Sequence, residues 1–311
     1  MSHSYPEDSK NYEHNYFTGI PVRPDQSKYI SEFLSGLDVS EHTIAALTQD
    51  IRKLAQWFTV ANQEPWDVKR VTVRDVADFR EYLRSEKKQA VSTVNRNLAS
   101  IRKYFKWLSE SDHIEVNPTI GIKVLKKQQA APQGLTRAEI RKLLREVELR
   151  GDVRAKAVFS IILYTGARLS DTVNLELSDL MLSERSGSCV FRNGKGNKQR
   201  TVPLPLQARN ALTVYLEVRP PVPTEKIFIG ERGALNSRGI QAIFEKYRAV
   251  TGIENLQCHV LRHSFSHTFL AQNGNLVQLA QILGHESLNT TAIYTRNSME
   301  QLSEATEGLT Y

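Results

Sequence analysis

Apolar residues recur at helical spacing along the first third of the chain. Ile44, Leu47, Ile51, Leu54 and Phe58 form one stripe, behind Ser40 as an N-cap. Val76, Phe79, Tyr82 and Leu83 form a second. Val94, Leu98, Ile101, Phe105 and Leu108 form a third, behind Ser92 as a cap, and at about 100° per residue these five share one narrow arc. The pattern predicts an all-helical domain over residues 25–116. Asn117-Pro118 stops it. Residues 1–24 are polar, with Tyr5, Tyr12 and Tyr16 but no helical period, and predict a flexible arm. Residues 117–134 hold Lys123, Lys126, Lys127 and Pro132 and read as a basic linker.

A second domain follows over residues 135–297. Thr136 with Glu139 three residues later is a capping-box signature. Asp152 to Tyr164 reads as a largely apolar, buried helix, after which Thr165-Gly166-Ala167 turns the chain and presents Arg168. Asp171 to Leu177 reads as a short helix. Two strands, 189–192 and 200–204, flank an Asn-Gly-Lys-Gly-Asn turn, a strong hairpin signal. Helices are expected over Leu206–Val218 and Ile240–Val250, with Ile227-Phe228-Ile229 as a short buried segment between them. The apolar run ending at Leu283 predicts a helix that Gly284 closes, leaving His285 just past it. Residues 298–311 form a polar tail. The expected fold is mainly α, with a small β-hairpin in an α+β second domain and an all-helical first domain.

Composition narrows the partner. The chain has 311 residues, enough for two cores, and a net charge of +7. That balance favours an anionic partner, most simply nucleic acid. Arg96, Arg102, Lys103 and Lys106 lie in an arc beside the apolar face of the third helix. A charged helix face is ordinarily just solvated, but here it could track phosphates. Lys123, Lys126 and Lys127 in the linker join the candidate DNA contacts. Two cysteines give no disulfide framework. No run of 18 or more apolar residues suggests a membrane span, and the N-terminus has no signal pattern. A cytoplasmic protein with no membrane partner is the expectation.

The chemistry-bearing residues cluster late in the chain. His259 and Arg262 are three apart and share a helix face. Gly284-His285 follows, and Tyr294 lies nine residues beyond His285. Upstream stand Leu163-Tyr164-Thr165-Gly166-Ala167-Arg168-Leu169-Ser170-Asp171 and the hairpin Gly194-Lys195-Gly196-Asn197-Lys198-Gln199-Arg200-Thr201-Val202-Pro203-Leu204. In this order and spacing the motifs resemble those of the tyrosine recombinases, or phage integrase family, nearest its compact Xer-like members. The resemblance covers roughly residues 25 to 300.

That resemblance implies a two-domain clamp on double-stranded DNA, with a core-binding, SAM-like N-terminal domain. It implies site-specific strand cleavage and rejoining through a 3′-phosphotyrosyl intermediate, for integration, excision or dimer resolution. Tyr294 would be the nucleophile. Arg168 and Arg262 would hold phosphate oxygens, and Lys195, or its neighbour Lys198, would protonate the leaving oxygen. His259 and His285 would bind phosphate or assist proton transfer, and Asp171 would orient Arg168 by a salt bridge. No cofactor is implied. Four protomers would meet in synapsis, as a homo-tetramer or with a second recombinase, residues 298–311 docking into a neighbour. Alone, each residue has a plainer reading: a core tyrosine, a turn lysine, a surface arginine. His259, His263 and His267 fall at i, i+4 and i+8, a feasible zinc spacing, but without a His-Glu-x-x-His motif, so no metal is expected. A packing or hydrogen-bonding role suits His263 better. Type IB topoisomerase-like relaxation and non-catalytic DNA binding are the alternatives.

Overall fold

The computed structural model describes residues 16–126, 133–192, 199–272, 274–285 and 287–295. Two compact units emerge, Met1–Gln129 and Ala130–Tyr311.

The first unit contains α1 (Gln26–Ser35), α2 (Glu41–Asn62), α3 (Val73–Ser85) and α4 (Val91–Glu110). Their apolar stripes meet in a core that includes Phe33, Ile51, Phe58, Phe79, Val94, Leu98 and Phe105. Ser40 caps α2 by accepting the Thr43 N–H, and Thr72 with Asp75 forms a capping box on α3. The expected Ser92 cap is not used: α4 starts at Val91, with Ala90 in the cap position. A cap contributes only about 1 kcal/mol, and full burial of Val94, Leu98 and Ile101 outweighs it.

The expected arm gives way to packed chain at residues 16–24. Phe17 is buried, its ring 6.5 Å from that of the fully buried Trp66. Trp66 N–H donates to the Pro21 carbonyl (2.8 Å), and Arg23 N–H donates to the Trp66 carbonyl (2.9 Å). Two aromatic rings leaving water outweigh the polar composition around them. Residues 1–15 lie outside the described residues.

The start of the expected linker is likewise held. Asn95 bonds the Leu125 carbonyl (2.8 Å) and N–H (2.9 Å), and Arg102 donates to the Ile122 carbonyl. Arg96 is engaged too. It donates to both oxygens of the fully buried Asp50, at 2.6 and 3.0 Å, while Ser100 donates to the same carboxylate at 2.8 Å. Arg96 and Arg102, expected on a phosphate-tracking face, therefore hold their own domain together. Lys103, Lys106, Lys123 and Lys126 are exposed, with Lys106 beside Glu110 at 3.5 Å. Lys127 lies outside the described residues.

The second unit is built on α6 (Val153–Thr165), whose Ala157, Val158, Phe159, Ile161 and Ile162 are all fully buried. Around it pack α5 (Arg137–Leu149), α7 (Leu169–Asn174), α8 (Leu206–Glu217) and α10 (Cys258–Ala271). Thr136 and Glu139 form the predicted capping box on α5. After α7 comes a 3-10 turn, Leu177–Asp179. It leads into a three-stranded antiparallel sheet in the order β1 (Leu180–Leu182), β2 (Gly187–Phe191), β3 (Arg200–Pro203). Cys189 faces Leu180 on one side and Val202 on the other. β1 has no counterpart in the sequence reading, because three residues cannot show a period. The hairpin tip, residues 193–198, lies outside the described residues, and Lys195 and Lys198 with it.

A two-stranded hairpin, β4 (Ile229–Gly230) and β5 (Gly233–Ala234), precedes α9 (Ser237–Thr251). α11 (Leu276–Leu283), α12 (Leu288–Thr291) and a 3-10 turn, Ala292–Thr295, complete the described chain. They form a small second core of Leu279, Leu283 and Tyr294 with Phe265, Phe269 and Ile293.

Candidate active site

Two glycines fix the backbone around Arg262. Gly166 ends α6 at φ 64°, and Gly284 ends α11 at φ 63°. A Cβ at Gly166 would meet Leu283 at 2.6 Å and Phe265 at 2.7 Å, so this turn requires glycine for space as well as conformation. The two helix ends aim carbonyls at one point. Arg262, 7% exposed on α10, donates to the Gly166 carbonyl (2.5 Å) and the Leu283 carbonyl (3.1 Å).

Its remaining contact sets the state of His285. Arg262 Nη2 lies 2.9 Å from His285 Nε2, and a guanidinium can only donate, so Nε2 accepts. The ring proton then sits on Nδ1, 2.8 Å from Thr291 Oγ1. Burial first, then Arg262, Arg168 and Arg200, push His285 down to about 4, which keeps it neutral. Arg262 itself is pushed down to about 10, by burial and then by Arg168, and is still a cation at neutral pH. No carboxylate pairs with it among the described residues; its partners are two carbonyls and a neutral ring.

Arg168 stands at the start of α7, its Nη2 3.5 Å from the Gly284 carbonyl. Burial lowers its pKa, with Asp171 opposing and Arg200 adding to the shift. The expected Asp171–Arg168 salt bridge does not form. Asp171 Oδ2 accepts the backbone N–H of Arg168 (2.8 Å) and the guanidinium of Arg200 (2.5 Å). The three-residue spacing is that of a capping box, in which the carboxylate folds back onto the cap N–H. Arg200, on β3, also donates to the Ile282 carbonyl (2.9 Å) and covers the Phe191 ring at 4.5 Å. It thereby ties the base of the hairpin to both α7 and the end of α11.

Tyr294 is 7% exposed, and its hydroxyl lies 2.8 Å from His263 Nδ1. Its ring is tilted against His263 and edge-on to His267, each at 5.5 Å. His259 is exposed, 5.8 Å from His263 along α10. Burial, then His259, His267 and Arg262, push His263 down to about 4. Among the described residues no group of three or more His, Cys, Asp or Glu is arranged to hold a metal. A cavity of about 420 Å³ opens beside these groups, and its lining includes Arg168, Arg248, His259, Arg262 and Glu245.

The structure therefore brings Arg262 and His285 into direct contact and sets Arg168 against the same helix end. Tyr294 meets His263, not His259 or His285. His263, Arg200 and Thr291 are the participants that sequence reasoning left without a role in the site. His263 carried one signal: it lies one helical turn after His259 and directly after Arg262.

Comparison with known proteins shows the family. The phage integrase family model matches residues 133–301, and the model of the phage integrase N-terminal SAM-like domain matches residues 28–111. Tyrosine recombinase XerC of Thermodesulfovibrio yellowstonii is 32% identical over 292 residues, 89% of this chain and 94% of the relative. XerC of Actinobacillus pleuropneumoniae is 30% identical over 273 residues, 85% of this chain and 86% of the relative. Among solved structures, XerH bound to its difH substrate in a pre-cleavage complex aligns with a TM-score of 0.70 at 19% identity. The alignment covers 93% of this chain and 99% of XerH. The Tn1549 transposon integrase in complex with a circular intermediate DNA gives 0.71 at 18% identity, covering 90% and 98%. The chain belongs to the phage integrase family. Within it, this is a tyrosine-type, Xer-like site-specific recombinase, an enzyme that breaks and rejoins DNA.

Proposed function

We propose that Tyr294 is the nucleophile and that Arg168, Arg262, His259 and His285 surround the phosphate it attacks. The contact of a buried, carboxylate-free Arg262 with a neutral His285 carries this reading. Such a cation is costly to hold in place and is relieved by an arriving anion. Two arginines can neutralise the non-bridging oxygens while remaining charged. Tyr294 then forms a 3′-phosphotyrosyl bond and the 5′ oxygen leaves, with Lys195, or alternatively Lys198, as its proton donor. The bond energy is kept in the adduct, so rejoining needs no nucleotide cofactor.

The domains we assign are 25–116 for the DNA-binding helical part and 135–297 for the catalytic part, with basic contacts from Lys103, Lys106, Lys123, Lys126 and Lys127. The partner is double-stranded DNA carrying specific recombination sites, as in the difH complex of XerH. The reaction is assigned to the cytoplasm; no described helix is long and apolar enough to cross a membrane. Synapsis joins four protomers, with residues 298–311 bridging neighbours.

A covalent trap tests the assignment. Purified protein is incubated with a library of nicked duplexes in EDTA and run on a denaturing gel. A protein–DNA adduct that is absent for Tyr294→Phe supports it, and sequencing the trapped strand identifies the site. An adduct that persists in Tyr294→Phe contradicts it. The same assay, scored for exchanged strands with residues 298–311 deleted, separates cleavage from assembly.

A further inference from the structure

The proton on Tyr294 needs a destination, and none of the residues assigned to the phosphate hydrogen-bonds the phenol. His259 is an exposed imidazole one turn before His263, its ring 5.8 Å from that of His263, while the hydroxyl of Tyr294 pairs with His263. His285 has both ring nitrogens engaged, one by Arg262 and one by Thr291. Arg262 and Arg168 are cations that cannot accept a proton. His263 is the group that contacts the phenol oxygen directly, at 2.8 Å.

We propose that His263 is the base that takes the phenolic proton from Tyr294 as its oxygen attacks phosphorus. This rests on the assignment of Tyr294 as nucleophile. Tyr294 Oη forms the bond to phosphorus, its O–H bond breaks, and the proton passes to His263 Nδ1. The 5′ oxygen departs with the electron pair of its P–O bond and takes a proton from the hairpin lysine. In rejoining, the 5′ hydroxyl gives its proton back to the hairpin lysine as its oxygen bonds to phosphorus, the bond from phosphorus to Tyr294 Oη breaks, and the imidazolium of His263 returns its proton to the departing phenolate.

Three observations support the role. First, the geometry is direct, with no intervening group. Second, the ring is fixed: α10 holds it between His259 and His267, and Tyr294 packs on both His263 and His267. Third, its surroundings keep it neutral, and therefore able to accept, until negative charge arrives. The groups facing it are His259, His267 and Arg262 on its own helix and Tyr294 from the C-terminal turn. A DNA phosphate drawn to Arg262 and Arg168 adds an opposing charge near a ring now disfavoured as a cation. That raises its basicity when the substrate is in place.

Single-turnover cleavage of the trapped duplex in its nicked form tests this. His263→Asn keeps a hydrogen-bonding atom near the position of Nδ1 but cannot take a proton. Cleavage is expected to fall about 100-fold, the lower end for loss of general base catalysis, with duplex binding unchanged. Placing 3,5-difluorotyrosine at position 294 of that variant lowers the phenol's own pKa and is expected to recover most of the loss. His263→Gln and His263→Ala serve where Asn does not fold, with thermal melting as the check. Full-rate cleavage by His263→Asn overturns the proposal. So does a slow variant that fluorination does not rescue, which marks positioning alone. Faster cleavage by His263→Ala overturns it as well, since the contact would then be a restraint. These outcomes are distinct from a failure of the nucleophile assignment, which is read separately as an adduct persisting in Tyr294→Phe.

Discussion

Arg96 in the helical unit and Arg262 in the catalytic unit each anchor a polar cluster, and the two clusters treat charge differently. In the helical unit, Asp50 has no exposed surface, and Arg96 meets it with two hydrogen bonds while Ser100 adds a third. Positive and negative charge cancel on the spot, and the pair joins α2 to α4. In the catalytic unit, Arg262 is nearly as buried, yet it meets two carbonyls and a histidine kept neutral. Arg168 and Arg200 add to the positive field, and the carboxylate of Asp171 is engaged by Arg200. Charge that serves folding is neutralised within the chain. Around Arg262 charge is held in place by dipoles, and on the proposed function it is left for the substrate to neutralise.

Exchanging the two arginines for alanine breaks or sharpens this contrast most strongly. Arg262→Ala is expected to slow single-turnover cleavage on the order of 10²–10³-fold, the scale for losing one preorganised donor to a transition-state oxyanion. Arg96→Ala, measured at saturating DNA, stays within a few-fold of wild type. Equal losses in both would erase the distinction. A smaller effect, on stability, comes from Asp50→Ala. It removes three charge-assisted hydrogen bonds but leaves Arg96, whose side chain is 46% exposed, able to reach water. A loss of about 2 kcal/mol in denaturant unfolding is expected, and an unchanged midpoint would show that the pair contributes nothing. The smallest effect belongs to the exposed lysines. Lys103→Ala and Lys106→Ala each lower duplex affinity a few-fold and the salt slope by about one. Slopes that do not change would exclude phosphate contact there.

What the sequence made legible follows from the range of each signal. The capping box at Thr136–Glu139, the Ser40 cap and the helix stop at Gly284 are local, and each is found where residue spacing puts it. The family motifs name Arg168, His259, Arg262, His285 and Tyr294 because their order is distinctive, and the fold sets Arg262 against His285. Contacts between distant segments carried no such signal. Phe17 packing on Trp66, Arg200 taking Asp171, and Tyr294 meeting His263 each join residues 29 to 49 positions apart. Asp171 shows the limit most clearly. Its spacing from Arg168 fits both a salt bridge and a capping box, and only the position of Arg200 decides between them.

The most direct test of the unneutralised site is the titration of His285, followed by NMR in Tyr294→Phe with and without the trapped duplex. Without DNA, burial and the surrounding arginines hold its pKa near 4, so the ring is neutral throughout the neutral range. A phosphate seated between Arg262 and Arg168 offsets their repulsion and favours the protonated ring, so the pKa must rise on binding, by at least a unit. A rise confirms that the site is completed by the substrate's charge. A value that stays near 4 with duplex bound would contradict the account, because no phosphate would then be reaching Arg262.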